Sequence, residues 1–183
     1  MSVISIGMAE FTSIAKGIQA ADAMLKAADV ELLMNRSICP GKFMVAVSGE
    51  VSAVQSSVDA GITSGGDTVV DSFVIPHIDQ RILPAISGTN TPENKGALGI
   101  IETFSVVSCI EAADAALKAA AVDIIQLHLA MAIGGKAYVT LTGEVAAIES
   151  ATSAGVDFIK AKGLLVQRVV IPQPRAEILL DKI

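Results

Sequence analysis

Ala20-Ala21-Asp22-Ala23-Met24-Leu25-Lys26-Ala27-Ala28 returns 92 residues later as Ala112-Ala113-Asp114-Ala115-Ala116-Leu117-Lys118-Ala119-Ala120. Self-similarity at a fixed offset marks a repeated structural unit, so this stretch decides how the rest is read. The match runs on in both directions. Gly7, Glu10, Ser13 and Ile18 fall on Gly99, Glu102, Ser105 and Ile110, and Val30 falls on Val122. From 7 to 30, 13 of 24 positions are identical without a gap. The offset then grows to 94, where Gly41-Lys42 matches Gly135-Lys136 and Gly49-Glu50-Val51 matches Gly143-Glu144-Val145. At Ile75-Pro76 and Ile171-Pro172 it is 96. Glycine and charged residues match as well as alanine, which excludes a chance likeness of two alanine-rich helices. The chain is two similar domains, 1–86 and 97–183. They are joined by a polar linker at 87–96 (Ser87-Gly88-Thr89-Asn90-Thr91-Pro92-Glu93-Asn94-Lys95-Gly96) that carries chain breakers throughout.

Each copy reads β-α-β-β-α-β. In the first, 3–9 predicts a short strand. Residues 13–28 predict a helix with Ile14, Ile18, Ala21, Leu25 and Ala28 along one face. Residues 30–38 and 42–48 predict two strands split by Pro40-Gly41. Residues 50–60 predict a helix with Glu50 at its positive end, and 69–75 a strand stopped by Pro76. Gly61-Ile62-Thr63-Ser64-Gly65-Gly66 lacks the lysine of a phosphate cradle and reads as a loop. The second copy repeats the order through a strand at Ile100, a helix at 108–121, strands at 124–130 and 137–142, a helix at 144–154 and a strand at 164–171. Ser108 and Glu111 have the spacing of a capping box. This is the ferredoxin-like split βαβ arrangement, an α+β fold, present twice.

Composition narrows the function. Apolar residues are 52% and charged residues 17% of 183, which excludes disorder. Thirteen basic against nineteen acidic residues leave a net charge of −6, with no basic run and 3% aromatics, so a nucleic-acid surface is not expected. Mean hydropathy is +0.61. Even so, the richest stretch, 110–125, is broken by Glu111, Asp114, Lys118 and Asp123, and no membrane span is expected. The first residues show no basic region and no long apolar region, so no signal peptide is expected and the chain reads as intracellular. Two cysteines make no disulfide framework. A small, apolar, weakly charged chain of this kind is expected to bury surface against copies of itself.

Most catalytic motifs are missing. There is no dinucleotide fingerprint, P-loop or nucleophile elbow. The histidines are His77 and His128, and no single chain closes a zinc site. The duplicated carboxylates Glu10 and Glu102 read as structural, with general acid–base work as the alternative. Cys109 stands where the first copy has Gly17 and reads as a small packed residue. Cys39 is different. It lies in Ser37-Ile38-Cys39-Pro40-Gly41-Lys42, at a strand-to-strand tip, where a loop suits a ligand better than a core thiol does. An incidental loop cysteine is the alternative. The second copy has the longer, cysteine-free Ala130-Met131-Ala132-Ile133-Gly134-Gly135-Lys136 there, so the two copies have different tasks at this loop. One cysteine holds no metal alone. Threefold symmetry would bring three thiolates to one axis, matching three corners of an iron–sulfur cube or three positions of a tetrahedron.

The paired Gly7-Met8-Ala9-Glu10 and Gly99-Ile100-Ile101-Glu102, the helices at 21–28 and 113–120, and the two Gly-Glu-Val turns carry a resemblance. The sequence resembles the tandem-domain, trimer-forming shell proteins of bacterial microcompartments. The likeness covers nearly the whole chain. It implies a pseudohexameric homotrimer, not an enzyme, that tiles with other shell proteins in the cytoplasm. Neither nucleic acid nor membrane is expected as a partner. It is nearest to the type whose first-domain Cys-Pro-Gly-Lys loop lines the threefold axis. That implies a [4Fe–4S] cluster held by Cys39 of each of three chains, with a fourth iron ligand that is non-protein or undefined. The cluster implies electron transfer or cluster transport across the shell, with an encapsulated redox enzyme as a partner. Ser37, Ile38, Pro40 and Gly41 with Ile133, Gly134 and Gly135 would line the axis, and Lys26 and Lys118 match the lysine at tile edges. Lys42 would offset the cluster's charge or be a bystander. Propanediol use is the suggested pathway, with ethanolamine, choline and glycyl-radical pathways left open. Single-domain relatives often read Val-Ile-Pro-Arg-Pro-His. Here the copies read Val74-Ile75-Pro76-His77-Ile78-Asp79 and Val170-Ile171-Pro172-Gln173-Pro174-Arg175, without the edge arginine. The alternatives are a plain tile with a small-molecule pore and a ligand sensor built from the duplicated domains.

Overall fold

A strand buried at all seven positions belongs in the middle of a sheet covered on both faces, and Ser5–Phe11 (β1) is such a strand. The computed structural model describes residues 5–91 and 96–180. β1 is followed by α1 (Ile14–Ala27), β2 (Glu31–Ile38), β3 (Lys42–Gly49), α2 (Val51–Gly65) and, after one 3₁₀ turn, β4 (Val69–Ile75). The sheet order is β2-β3-β1-β4, antiparallel throughout. A short helix, α3 (Ile82–Ser87), precedes the second copy. That copy runs β5 (Ala97–Thr103), α4 (Val106–Ala119), β6 (Asp123–Leu129), β7 (Ala137–Gly143), α5 (Val145–Ile159) and β8 (Leu165–Ile171), with α6 (Ala176–Leu180) at the end. Its sheet order, β6-β7-β5-β8, is the same. Both copies have the expected ferredoxin-like order. Of the strand expected at 3–9, residues 3 and 4 lie outside the described residues, as do 92–95 of the expected linker.

Packing divides the chain into two units. One holds the residues up to Ile78 together with Ala130–Gly135, and the other holds Asp79–Leu129 and the residues from Lys136 on. The sequence reading set the first domain's end at 86, whereas the packing boundary falls after Ile78. Arg81 explains the position of the segment after it. Its guanidinium forks onto Asp79 at 2.8 and 2.9 Å and donates to the carbonyls of Leu117, in the last turn of α4, and Val122, just past it, at 3.3 and 2.6 Å. Asp114 Oδ1 accepts from the Asp79 N–H at 2.8 Å. The Arg81 guanidinium holds the Asp79 carboxyl below the usual carboxylate range.

Small residues pack the first unit. Ala9, Phe11, Phe43, Val45 and Val47 on one sheet face cluster with Ala20, Ala21 and Met24 of α1 and Val54 and Val58 of α2. The alternate positions Ile6, Met8, Met44 and Ala46 are buried as well, which is why β1 and β3 read as continuous apolar runs. The buried face of α1 is Gly17, Ala20, Ala21 and Met24, not the Ile14–Ile18–Leu25 stripe that its periodicity singles out. A Cβ on Gly17 would sit 2.6 Å from Phe43, so the helix lies too close to the sheet for larger residues on that side. The aliphatic stripe is left exposed, at 41%, 53% and 41% for Ile14, Ile18 and Leu25. The same close approach corrects the loop expected at 61–66. α2 continues through it to Gly65, because a Cβ at Gly61 would sit 2.7 Å from Met24 and one at Gly65 would enter the Phe11 ring. These glycines mark tight packing, not a turn.

The expected capping box at Ser108 and Glu111 is also corrected. α4 starts earlier, and Ser105 is its N-cap, with Oγ accepting from the Ser108 N–H at 3.2 Å. Ser13 does the same for α1, accepting from the Lys16 N–H at 3.3 Å. Glu111 pairs with Lys162 instead. Replacing Ser105 by alanine removes the acceptor and is expected to cost about 1 kcal/mol of stability. A urea denaturation midpoint that does not move would contradict the cap.

Candidate functional site

β2 ends at Ile38 and β3 begins at Lys42, so three residues, Cys39-Pro40-Gly41, turn the chain back. The Gly41 N–H donates to the Ile38 carbonyl at 3.0 Å and closes the turn. The Cys39–Pro40 peptide is cis. The Cys39 thiol is free and half-buried. Ser37, Pro40 and Gly41 are exposed around it, whereas Ile38 is buried.

The segment Ala130–Gly135 packs with this turn. The Cys39 N–H donates to the Ala130 carbonyl at 2.9 Å. Gly135 is buried against the turn, so that a Cβ there would lie 2.5 Å from Pro40 Cδ and 2.8 Å from the Cys39 carbonyl oxygen. Four of these six residues have left-handed backbone: Ala130 (φ 50°), Ala132 (φ 62°), Gly134 (φ 66°) and Gly135 (φ 84°). Alanine holds such a conformation only where its surroundings impose it. The structure therefore brings Pro40, Cys39 and Gly135 together. Ile133 is half-buried and Gly134 exposed on the same segment.

An ion pair anchors the base of the turn. Glu10, with no exposure to water, lies in β1 opposite Met44 of β3, and Lys42 Nζ reaches its Oε1 at 2.8 Å. Lys42 is thus neither a surface bystander nor an uncommitted charge. The second copy repeats the pair as Lys136 and Glu102, more open to water. These pairs give the duplicated carboxylates a structural role. Sequence reasoning missed the pairing, although both members of each pair stood in the repeat.

The remaining candidates lie apart. Lys26 and Lys118 close the last turns of α1 and α4, where the helix dipole favours cations. Lys26 makes an exposed i,i+4 pair with Asp22 at 2.6 Å, and Lys118 pairs with Asp114 at 2.5 Å. His77 is exposed, and His128 stacks on Tyr138 with ring centroids 5.2 Å apart. Cys109 is fully buried in α4. Among the described residues no three His, Cys, Asp or Glu side chains gather to hold a metal within one chain. The donor set at the turn is one accessible thiol. That fits the gift of one thiolate per copy to a shared iron centre, and no closed site in a single chain.

Likeness to known proteins gives the family. Residues 5–78 and 97–174 each match the BMC domain. The bacterial microcompartment shell protein PduT of Citrobacter freundii is 48% identical over 170 residues, which are 93% of this chain and 92% of that one. A microcompartments protein from Desulfitobacterium hafniense DCB, solved as a crystal structure, superposes with a TM-score of 0.83 at 50% identity, covering 97% of this chain and 98% of that one. A fused permuted hexameric shell protein from the RMM microcompartment shares the fold, with a TM-score of 0.67 at 22% identity over 88% of this chain and 84% of that one. The chain belongs to the BMC domain family and carries two copies of the domain. It is a structural shell protein of a bacterial microcompartment, not an enzyme. No helix among the described residues is long and apolar enough to cross a membrane.

Proposed function

We propose that this shell protein forms a pseudohexameric homotrimer in which Cys39 of each copy holds a [4Fe–4S] cluster on the threefold axis. The observation that carries the reading is the Cys39 turn, a free, half-buried thiol at a strand tip, present in one copy of the repeat and absent from the other. When bound, the cluster supplies one-electron redox chemistry, for electron transfer across the shell or for transport of the cluster itself. The chain's own residues then hold the thiol at the tip and exclude solvent from one side of it. Ser37, Pro40 and Gly41, with Ile38 beneath them and Ile133, Gly134 and Gly135 beside them, surround the axis. Lys26 and Lys118 face neighbouring shell proteins, an encapsulated redox enzyme is the electron partner, and propanediol use is the pathway.

Self-association has its own support. Ile14, Ile18 and Leu25 lie exposed along α1, while their repeat counterparts Val106, Ile110 and Leu117 are buried. An exposed aliphatic stripe whose twin is covered is a surface for another copy.

The test is the anaerobic visible and EPR spectrum of the purified protein, with iron and sulfide assays, beside Cys39→Ser. The expected result is a brown trimer with about four irons, lost in the variant. A trimer that stays colourless after reconstitution would leave a plain tile with a central small-molecule pore.

A further inference from the structure

The turn that carries Cys39 does not set its own position. Its N–H is held by the Ala130 carbonyl, and its peptide plane rests where Gly135 has no side chain. Ala130 and Gly135 belong to the second copy's longer loop, in the stretch between Val122 and Lys136 where that copy carries two extra residues. We propose that Gly135 is a positioning residue for Cys39, and that the extra length of this loop serves to fix the direction of the thiol. The proposal rests on the cluster reading for its purpose and on the contact for its mechanism.

The geometry separates contact from backbone strain. Gly134 and Gly135 are neighbours with similar left-handed φ angles, 66° and 84°. A Cβ on Gly134 meets nothing within 4 Å, whereas a Cβ on Gly135 meets Pro40 Cδ and the Cys39 carbonyl. Asparagine is among the side chains that tolerate left-handed backbone best. Gly134→Asn and Gly135→Asn therefore add the same side chain to nearly the same conformation and differ in whether it strikes the turn. In the second variant the new Cβ displaces Pro40, lengthens the Cys39–Ala130 hydrogen bond and turns the thiol from its place.

The experiment compares the two variants with the parent as purified full-length trimers, by two readouts. The first is iron retained against a chelator, with the EPR line shape. Gly135→Asn is expected to hold iron about 10–100-fold less tightly, as when a group behind a metal ligand is lost, and Gly134→Asn to match the parent. The second is the labelling rate of Cys39 by N-ethylmaleimide in iron-free protein, which is expected to rise in Gly135→Asn alone. Equal iron retention in both variants, whether kept or lost, overturns the positioning role. If the parent binds no iron, the cluster reading fails by itself and the labelling rates decide: a change confined to Gly135→Asn supports positioning, and equal rates overturn it. Gly135→Ala, which adds the Cβ alone, guards against misfolding. If neither Gly135 variant folds while Gly134→Asn does, Gly135 is a folding residue and the proposal is overturned.

Discussion

Lys42→Met is expected to destabilise the protein by about 3–5 kcal/mol, the cost of removing one partner from a buried ion pair. The Glu10 carboxylate has no exposure to water and lies in β1, one of the two inner strands of its sheet, where little water can replace the lost cation. Methionine matches the volume of the lysine stem, so the loss reports charge more than packing. The repeat supplies the control. Lys136→Met breaks the corresponding pair, in which the lysine and glutamate side chains are 41% and 28% exposed. It is expected to cost no more than about 1 kcal/mol, as exposed pairs do. The double variant Glu10→Gln/Lys42→Met removes both charges and is expected to recover much of the loss, since replacing both partners of a buried pair is far milder than orphaning one. Urea unfolding of the four proteins checks all three statements. Equal losses for Lys42→Met and Lys136→Met would show that burial of Glu10 does not set the cost.

The topology was legible because it was written twice. Gly7, Glu10, Ser13 and the Ala-Ala-Asp-Ala run recur with their spacing, so each ambiguous element could be read against its copy. What failed was the inference from side-chain size to burial. In α1 the large residues Ile14, Ile18 and Leu25 are the exposed ones, and Gly17, Ala20 and Ala21 face inward, because helix and sheet touch at distances only small residues permit. Gly61 and Gly65 misled for the same reason. A glycine packed on Met24 or Phe11 looks in sequence like a glycine in a turn. Ser108 with Glu111 has the spacing of a capping box, but tertiary packing begins the helix at Val106 and makes Ser105 the cap. At the site, the Cys39 turn was plain from Pro40-Gly41, a local signal. Its contacts with Ala130 and Gly135 join residues some ninety positions apart, which no local pattern encodes.

Cys109 is expected to react with thiol reagents at least about a thousandfold more slowly than an ordinary thiol while the protein is folded. The nucleophile is the thiolate, and burial pushes the Cys109 thiol up to about 12, against a weaker opposing hydrogen bond from Thr103. At pH 8 the ionised fraction is then on the order of 10⁻⁴, against about a quarter for an ordinary thiol near 8.5. Access is closed as well, since the side chain has no exposure. Mass spectrometry after maleimide treatment of iron-free protein should find one label per folded chain, none in Cys39→Ser, and two in denaturant. Two labels at similar rates in the folded protein would contradict the burial. The same shift has a consequence for stability. The folded state holds the Cys109 proton more tightly than the unfolded state does, so between about 8.5 and about 12 it binds more protons, and its stability falls as pH rises. The slope from this one group approaches about 1.4 kcal/mol per pH unit, and it vanishes below the unfolded value. Cys109→Ala removes the group, and the first copy already places glycine there. The stability difference between parent and variant is therefore expected to be constant up to about pH 8 and to move in the variant's favour above it. A difference independent of pH up to 10 would mean that water reaches the thiol in α4.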